Sequence, residues 1–216
     1  MYLSGSELKA RARAQLGSAL FGRVWLYAVI TVAVQAAVSN VITLVFKNIN
    51  FSASGLVNTL ITGPLSVSVA YMFLRQCRDG QQMNLDDLLK GFRDGFGENF
   101  LLGLLVNLFT ALWSLLLVVP GVIKAYSWSM AYFIRCDHPD YDYRTCMRES
   151  AAMMQGNKMR LFLLDLSFIG WLILGSLCVG FGVLWVAAYM EAAHAQFYQN
   201  LLDQQYSSAA TGEYSY

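Results

Sequence analysis

The chain has 216 residues, of which 56% are hydrophobic and only 13% are charged, and its formal net charge is +1. This apolar share exceeds the roughly 45–50% that is usual for soluble domains. A net charge so close to zero gives no reason to propose a nucleic acid as a partner. Composition therefore favours an integral membrane protein over a soluble or nucleic-acid-binding domain.

The basic residues are concentrated in segments that separate long apolar stretches. Of the 15 Lys and Arg residues, all except Lys47 and Lys124 lie within 9–23, 75–93 and 135–160. Loops that stay in the cytoplasm carry such an excess of Lys and Arg. The distribution predicts a polytopic membrane protein whose termini both lie in the cytoplasm.

The first predicted element is an amphipathic helix over residues 4–22. Ser4 or Ser6 can cap its start, and Glu7 lies in the first turn, where a negative charge is favourable. One face collects Leu8, Ala12, Leu16, Ala19 and Leu20. The pattern fits a helix that lies at the inner membrane surface. A solvated helix that leads into the first span fits it equally well.

Two predicted spans follow this helix. Residues 24–46 carry no charge and exceed the roughly 20 helical residues needed to cross the hydrocarbon. The second span covers 56–74 and contains Pro64, which predicts a kink. In the loop 75–99, Asn84 precedes apolar residues at helical spacing, and this predicts a short interfacial helix.

Residues 100–134 fit either one very long helix or two spans joined by a turn. One helix would leave the basic loop 135–160 outside the cell, whereas two spans return it to the cytoplasm. Because basic loops stay inside, we expect a tight turn at Pro120 and Gly121, two residue types that form turns. The two predicted spans are 100–119 and 121–135.

The rest of the chain repeats the pattern of a structured inner loop followed by two spans. Residues 143–155 are predicted to form an amphipathic helix within the inner loop. Two further spans, 161–179 and 183–200, flank the sequence Gly180-Phe181-Gly182. The tail 203–216 has no apolar periodicity, and we expect it to be disordered.

These elements predict an all-α fold: a polytopic membrane helical bundle with about six transmembrane helices plus short interfacial amphipathic helices. Residues 1–202 form a single membrane domain in this interpretation. The chain is expected to cross a plasma membrane several times, with membrane lipids as its immediate partners.

Polar residues follow one face of each of the first three spans. The three stripes are Thr31, Gln35, Ser39 and Thr43; Asn58, Thr62 and Ser66; and Asn107, Thr110 and Ser114. Such side chains commonly form hydrogen bonds between helices in lipid. A polar path for a solute is the functional alternative.

Six ionisable residues are candidates for a functional or structural role: Lys124, Arg148, Arg160, Asp165, Glu191 and His194. Charged groups inside a bilayer are unfavourable and mark functional sites by default. We expect Asp165 and Glu191 to pair with a basic residue of the inner loop: Arg148, Lys158 or Arg160. A protonatable pair that serves transport is one alternative, and unpaired carboxylates exposed to water are the other. Lys124 would either snorkel to the outer face or accompany a tilted span.

No motif indicates catalysis. The chain has no Gly-rich phosphate loop, no paired His on a helix with a Glu, and no nucleophile-elbow sequence. The spacing of Cys136, His138 and Cys146 matches no common zinc pattern. We therefore expect no catalytic residue, no cofactor, no metal and no enzymatic activity.

Four stretches resemble a bacterial family of membrane proteins, domain of unknown function 975. They are ELKARA at 7–12, DLLKGF at 87–92, VPGVIKAYSWSM at 119–130, and a run from Glu149-Ser150 through Met154, Gly156 and Lys158 into RLF at 160–162 and LSFIGW at 166–171. The resemblance covers about residues 5–202. It implies a bundle of about six spans in a bacterial plasma membrane, with no established activity.

A second, weaker resemblance is to the membrane domain attached to some glycerophosphodiester phosphodiesterases. It rests on Pro120-Gly121 with the helix that follows, and on the later Ser…Gly…Arg-Leu-Phe run. No soluble phosphodiesterase domain is seen in this sequence, so the resemblance does not imply that activity here.

The leading functional hypothesis is a non-enzymatic scaffold or partner-binding protein, whose inner loops contact other membrane or cytoplasmic proteins. The alternative is a small transporter or lipid-handling protein that uses the polar stripes with Asp165 and Glu191. A continuous polar cavity reaching Glu191 would favour transport. A closed apolar bundle with an exposed inner groove would favour the scaffold.

The predicted topology can be tested with cysteine or reporter fusions. Fusions at 48–54, 120–122 and 180–182 should report outside, and fusions at 80–95, 140–155 and 205–216 inside, because basic loops resist translocation. If 140–155 reports outside, residues 100–134 cross the membrane once and the prediction of about six spans fails.

Overall fold

The computed structural model describes residues 3–17, 22–46, 51–80, 83–116, 118–177 and 181–211. All regular secondary structure in these residues is helical, so the predicted all-α class is confirmed. In chain order the helices are α1 (Gly5–Leu16), α2 (Arg23–Phe46), α3 (Phe51–Asp79), α4 (Lys90–Arg93), α5 (Phe96–Leu116), α6 (Val118–Trp128), α7 (Ala131–Asp137), α8 (Tyr143–Met153), α9 (Lys158–Leu177) and α10 (Phe181–Thr211). A 3₁₀ helix, Leu85–Leu89, precedes α4.

Three helices in the described part of the chain are long and apolar enough to cross a membrane. Their apolar segments are Arg23–Ile42 in α2, Phe96–Trp113 in α5 and Lys158–Ser176 in α9. α3 and α10 have 29 and 31 residues but are more polar, and the 11 residues of α6 are fewer than the roughly 20 that a crossing needs. Membrane association is therefore supported by length and composition, and the number of about six crossings is not confirmed.

α5 and α6 are separate helices that pack side by side. α5 ends at Leu116 and α6 begins at Val118, so the prediction of a turn at Pro120 and Gly121 is wrong. Both residues lie in the first turn of α6. Proline is tolerated there because its missing N–H would have no partner within the helix. Residue 117, between the two helices, lies outside the described residues.

The N-terminal helix is shorter than predicted. α1 begins as expected, with Ser4 as the N-cap and Glu7 completing a capping box, but it ends at Leu16. Gly17 follows with a φ of 92°, in the left-handed region that glycine adopts readily and that ends helices. Residues 18–21 lie outside the described part of the chain.

The tail predicted to be disordered is helical as far as Thr211, because α10 continues to that residue. Where α10 leaves the core, the side chain of Gln204 donates a 2.7 Å hydrogen bond to the side chain of Asn200. Such pairs, four residues apart, stabilise a helix without apolar contacts. Residues 212–216 are not among the described residues.

α1 is part of the bundle. Its apolar residues Leu8, Ala12 and Leu16 are all buried, and the helix packs chiefly on α10. The hydroxyl of Tyr189 on α10 donates a 2.8 Å hydrogen bond to the backbone oxygen of Lys9. The apolar face of α1 is therefore covered by the other helices, and its basic face remains at the surface.

Two helix crossings are built from glycine pairs. Where α3 crosses α5, a Cβ on Gly103 would lie 2.5 Å from the Cα of Gly63. Where α9 crosses α10, a Cβ on Gly175 would lie 2.9 Å from the carbonyl carbon of Gly182. Small residues let helix backbones approach closely in membranes. The second contact brings the end of α9 close to the start of α10.

A buried arginine organises the short helices around α4 and α7. Arg135 on α7 is only 4% exposed. Its guanidinium donates hydrogen bonds of 2.7 Å to the side-chain oxygen of Asn99 and of 2.6 Å to the backbone oxygens of Pro139 and Tyr141. Asn99 in turn donates to the backbone oxygen of Gly91. Arg135 and Asn99 together thus tie α4, α5, α7 and the turn before α8 to one another.

Gly103→Ala should weaken the α3–α5 crossing, because the added methyl group would meet the backbone of Gly63. Overpacking of this kind costs about 1–3 kcal/mol, so we expect a clearly lower melting temperature in detergent. Gly170→Ala is the matched control, since it lies in the apolar segment of α9 and its Cβ would meet nothing within 4 Å. Equal melting temperatures for the two variants would contradict the close crossing.

Candidate functional site

Three helices bring polar side chains together around Asp165 of α9. One carboxylate oxygen of Asp165 lies 2.7 Å from Nε2 of His194 on α10. The other accepts a 2.9 Å hydrogen bond from the hydroxyl of Tyr126 on α6. Asp165 lies within the apolar segment Lys158–Ser176. A single carboxylate therefore links α6, α9 and α10 inside an apolar stretch.

Glu191 supplies a second carboxylate. It precedes His194 by three residues on α10, so the two side chains share one face of that helix. Glu191 is half-buried, and within the described residues it forms no hydrogen bond or ion pair. The side chains of Asp165 and His194 are 21% and 24% exposed. We call Tyr126, Asp165, Glu191 and His194 the Asp165 cluster, which is reachable from the surface of the bundle.

Arg160, one of the predicted partners of these carboxylates, binds neutral oxygens. Its guanidinium donates to the backbone oxygen of Leu3 at 3.0 Å and to the side-chain oxygens of Asn157 at 2.7 Å and Asn200 at 3.3 Å. It also lies 5.4 Å from the ring centroid of Phe197. These contacts join α9 to the start of the chain and to α10.

Arg148 on α8 is also not paired with Asp165 or Glu191. It is 74% exposed and lies 3.5 Å from its neighbour Glu149. Among the described residues, no Lys or Arg forms an ion pair with Asp165 or Glu191, so the predicted pairing at the inner interface is wrong. The physical reason is depth: Asp165 lies five residues beyond Arg160, about 7.5 Å further along α9.

Lys124 lies in α6 between two indole rings. Its Nζ is 5.4 Å from the ring centroid of Trp113 on α5 and 5.8 Å from that of Trp128 on α6. The ring of Trp128 also packs on Phe109 of α5, with centroids 5.9 Å apart. Cation–π contacts stabilise a partly desolvated ammonium group. Lys124 therefore belongs to the α5–α6 contact and not to the Asp165 cluster.

Aromatic contacts on both sides of Asp165 hold the cluster in register. Phe162, one turn before Asp165 on α9, packs edge-on against Tyr126 with centroids 5.9 Å apart. Phe168, one turn after it, packs edge-on against Tyr189 of α10 at 5.1 Å. Residues three apart on a helix lie on the same face. This face of α9 thus alternates an aromatic anchor, a carboxylate and a second aromatic anchor.

Only some of the polar side chains in the three stripes form the hydrogen bonds between helices that we expected. Gln35 of α2 donates a 3.2 Å hydrogen bond to Ser66 of α3, as that expectation requires. Thr62, in contrast, donates to the backbone oxygen of Asn58 in its own helix. The side-chain oxygens of Asn58 and Thr110 are buried without a partner in the described residues. Buried groups of this kind usually bind water.

The thiols outside the membrane segments are poor nucleophiles. Burial raises the pKa of Cys77 and of Cys146 to about 11, so both remain protonated at neutral pH, and the thiolate is the reactive form. Within the described ranges, no three His, Cys, Asp or Glu side chains are placed to hold a metal ion. What the Asp165 cluster can do chemically is bind, hold and release protons.

Tyr126 is the member of the cluster that the sequence analysis missed. It lies in the stretch 119–130 that carries the family resemblance, but no local pattern marks a hydroxyl that bonds to another helix. The pairing of Asp165 with His194 could not be predicted from the sequence either, because it depends on the relative register of α9 and α10.

The chain belongs to the family described as Protein of unknown function (DUF975), whose sequence model matches residues 1–127 and 115–205. These matches include all four residues of the Asp165 cluster. No curated protein and no solved structure matches the chain. The family assigns no activity to the cluster, and the likeness to the phosphodiesterase membrane domain stays an expectation.

Asp165→Asn and His194→Gln should each lower the melting temperature in detergent, because each change alters one member of a short hydrogen bond between α9 and α10. The double variant should lose less stability than the sum of the two, with a coupling energy of about 0.5–3 kcal/mol. His138→Gln is the control, since His138 is exposed and stacks on Tyr141. Strict additivity of the two changes would contradict the pair.

Proposed function

We propose that this protein is a small proton-linked transporter, a multi-pass protein of a bacterial plasma membrane with both termini in the cytoplasm. In this proposal, about six helical segments cross or re-enter the bilayer. The polar solute that accompanies the proton passes along the bundle, and the Asp165 cluster is the proton-binding element.

The observation that carries the proposal is the contact of Asp165 with His194 at 2.7 Å inside an apolar segment. Ionisable groups at such places are unfavourable, and they mark proton relays and solute pathways in pumps and transporters. Histidine changes its charge near neutral pH more readily than any other side chain. Glu191 lies one helical turn before His194 on α10, so a second carboxylate is close enough to accept or release a proton.

Protonation of the cluster would change how three helices are held. When Asp165 is ionised, its two oxygens bind His194 and Tyr126 at once. A proton on Asp165 removes its negative charge and turns one of its two oxygens into a hydrogen-bond donor, so the contacts to α6 and α10 no longer have the same strength or direction. A change of this kind biases two arrangements of the same helices, which is what coupling between proton and solute requires.

The solute path in this proposal follows the α3–α5 side of the bundle. Asn58 and Thr110 present buried oxygens with no partner among the described residues. Such groups require water or a polar solute. Gln35 and Ser66 add a further polar contact between α2 and α3. Among the described hydrogen bonds, none joins these residues to the Asp165 cluster, so coupling would act through the movement of helices.

A scaffold is the second candidate, and the inner helices favour it. Arg135 holds α4, α5 and α7 in a fixed arrangement. α8 packs on this arrangement and carries the exposed charges of Arg148 and Glu149 on its outer side. A rigid, charged surface of this kind is suited to a protein partner. In that case the Asp165 cluster would only hold α6, α9 and α10 together.

A measurement of proton entry into liposomes distinguishes the transporter from the scaffold. The liposomes contain the purified protein in their membrane and a pH-sensitive dye inside. We expect one class from a panel of amino acids, sugars and organic acids to drive proton entry. Asp165→Asn and His194→Gln should reduce this entry at least about tenfold while the protein stays folded, because the proton site is lost.

The control for this experiment is His138→Gln, which leaves the cluster intact and should transport as the unmodified protein does. Proton entry that is unchanged in His194→Gln would rule out the cluster as the proton site. Absence of solute-dependent proton entry across the whole panel would favour the scaffold.

A further inference from the structure

A cleft lies between the start of α1 and the first half of α9. Its volume is about 240 Å³, and it is lined by two basic residues, Lys9 and Arg160, by Ser4 and Ser6, and by Leu163 and Leu164. Liquid water occupies about 30 Å³ per molecule, so the cleft has room for a phosphate group. It is separate from the Asp165 cluster, whose residues do not line it.

The polar part of the cleft is held in place before any ligand binds. Arg160 is fixed by hydrogen bonds to Leu3, Asn157 and Asn200. Lys9 lies with its Nζ 5.6 Å from the ring centroid of Phe168. A cation whose rotamer is already fixed loses little entropy when it binds an anion.

The nearest acidic residue of α1 does not neutralise this charge inside the cleft. The carboxylate of Glu7 accepts hydrogen bonds from the backbone N–H of Ser4 at 2.7 Å and from its hydroxyl at 2.8 Å. These bonds hold the pKa of Glu7 below its ordinary value. Glu7 is thus committed to the helix cap and is not among the residues that line the cleft.

The apolar part of the cleft continues onto the outer face of α9. Leu163 is 54% exposed and Met159 is 64% exposed, within a segment apolar enough to span a membrane. Phe162 and Leu166 extend this exposed face. In a bilayer such a surface meets acyl chains. Basic groups at one end and lipid-facing leucine at the other match the two parts of a phospholipid.

We infer that this cleft binds the phosphate headgroup of an anionic phospholipid, with Lys9 and Arg160 on the phosphate and the acyl chains along α9. Anionic lipids attract basic residues at the cytoplasmic surface. A zwitterionic headgroup carries its own cation and gains less from the two basic side chains. The inference takes the inner leaflet from the proposed topology and does not depend on proton transport.

The test uses the full-length protein in detergent, titrated with phosphatidylglycerol, phosphatidylcholine or inorganic phosphate and followed by native mass spectrometry and melting temperature. We expect phosphatidylglycerol to bind and to raise the melting temperature. Phosphatidylcholine should bind at least about fivefold more weakly, because an affinity ratio of about five corresponds to the loss of roughly one favourable contact with a basic side chain. Inorganic phosphate alone should have little effect, because it lacks the acyl chains.

Two variants address the cleft by independent means. Lys9→Gln removes one cation and should weaken the binding of phosphatidylglycerol at least about fivefold. Gly5→Leu places an apolar side chain in the cleft, where a Cβ on Gly5 would make ordinary contact with Leu164 at 3.9 Å. This variant should lose the lipid while the lipid-free protein melts no lower, since leucine favours a helix more than glycine does.

The matched controls are Arg13→Gln, a basic residue at the other end of α1, and Gly97→Leu, where a Cβ would meet nothing within 4 Å. Both should bind phosphatidylglycerol as the unmodified protein does. Equal binding of phosphatidylglycerol by Lys9→Gln, Gly5→Leu and the two controls would overturn the proposal. Binding of inorganic phosphate as strong as that of the lipid would show an anion site that is not a lipid site, and would overturn it too.

Discussion

A carboxylate within an apolar helical segment needs hydrogen-bond partners from the protein, and Asp165 has two. His194 and Tyr126 reach it from α10 and α6, so the requirements of a single carboxylate fix the mutual position of three helices. Removing one of these partners leaves the other without its hydrogen bond, which is destabilising in a largely apolar environment. This explains why a polar cluster can persist in an apolar segment. It also explains why a proton, which neutralises the carboxylate, would act on all three helices at once.

A second buried polar side chain, that of Arg135, is stabilised in a different way. Arg135 is buried, yet the hydrogen-bond acceptors around it are neutral oxygens of Asn99, Pro139 and Tyr141. Several fixed dipoles can stabilise a cation without a carboxylate, and such an arrangement holds backbone segments that have no other regular pairing. Arg135 therefore has a structural role. The Asp165 cluster differs because, in the proposed function, its members exchange protons.

The helices could be predicted to the extent that they depend on local sequence. α2 follows the uncharged stretch 24–46 almost residue for residue, because an apolar run is visible in the sequence alone. The turn was misplaced at Pro120 because proline is as well suited to the first turn of a helix as to a tight turn. The partner of Asp165 could not be predicted, because His194 lies on another helix and reaches Asp165 only through the way α9 and α10 pack. Residues far apart in sequence meet only through that packing.

The most direct measurement is the ¹⁵N spectrum of the histidine side chains in lipid bilayers. The chain has only two histidines, so the signals of His138 and His194 can be assigned by substitution. If Asp165 binds His194, Asp165→Asn should shift the ring nitrogen signals of His194 and leave those of His138 unchanged, and Arg160→Gln should shift neither. His194 signals that respond to Arg160→Gln and not to Asp165→Asn would contradict the central pair.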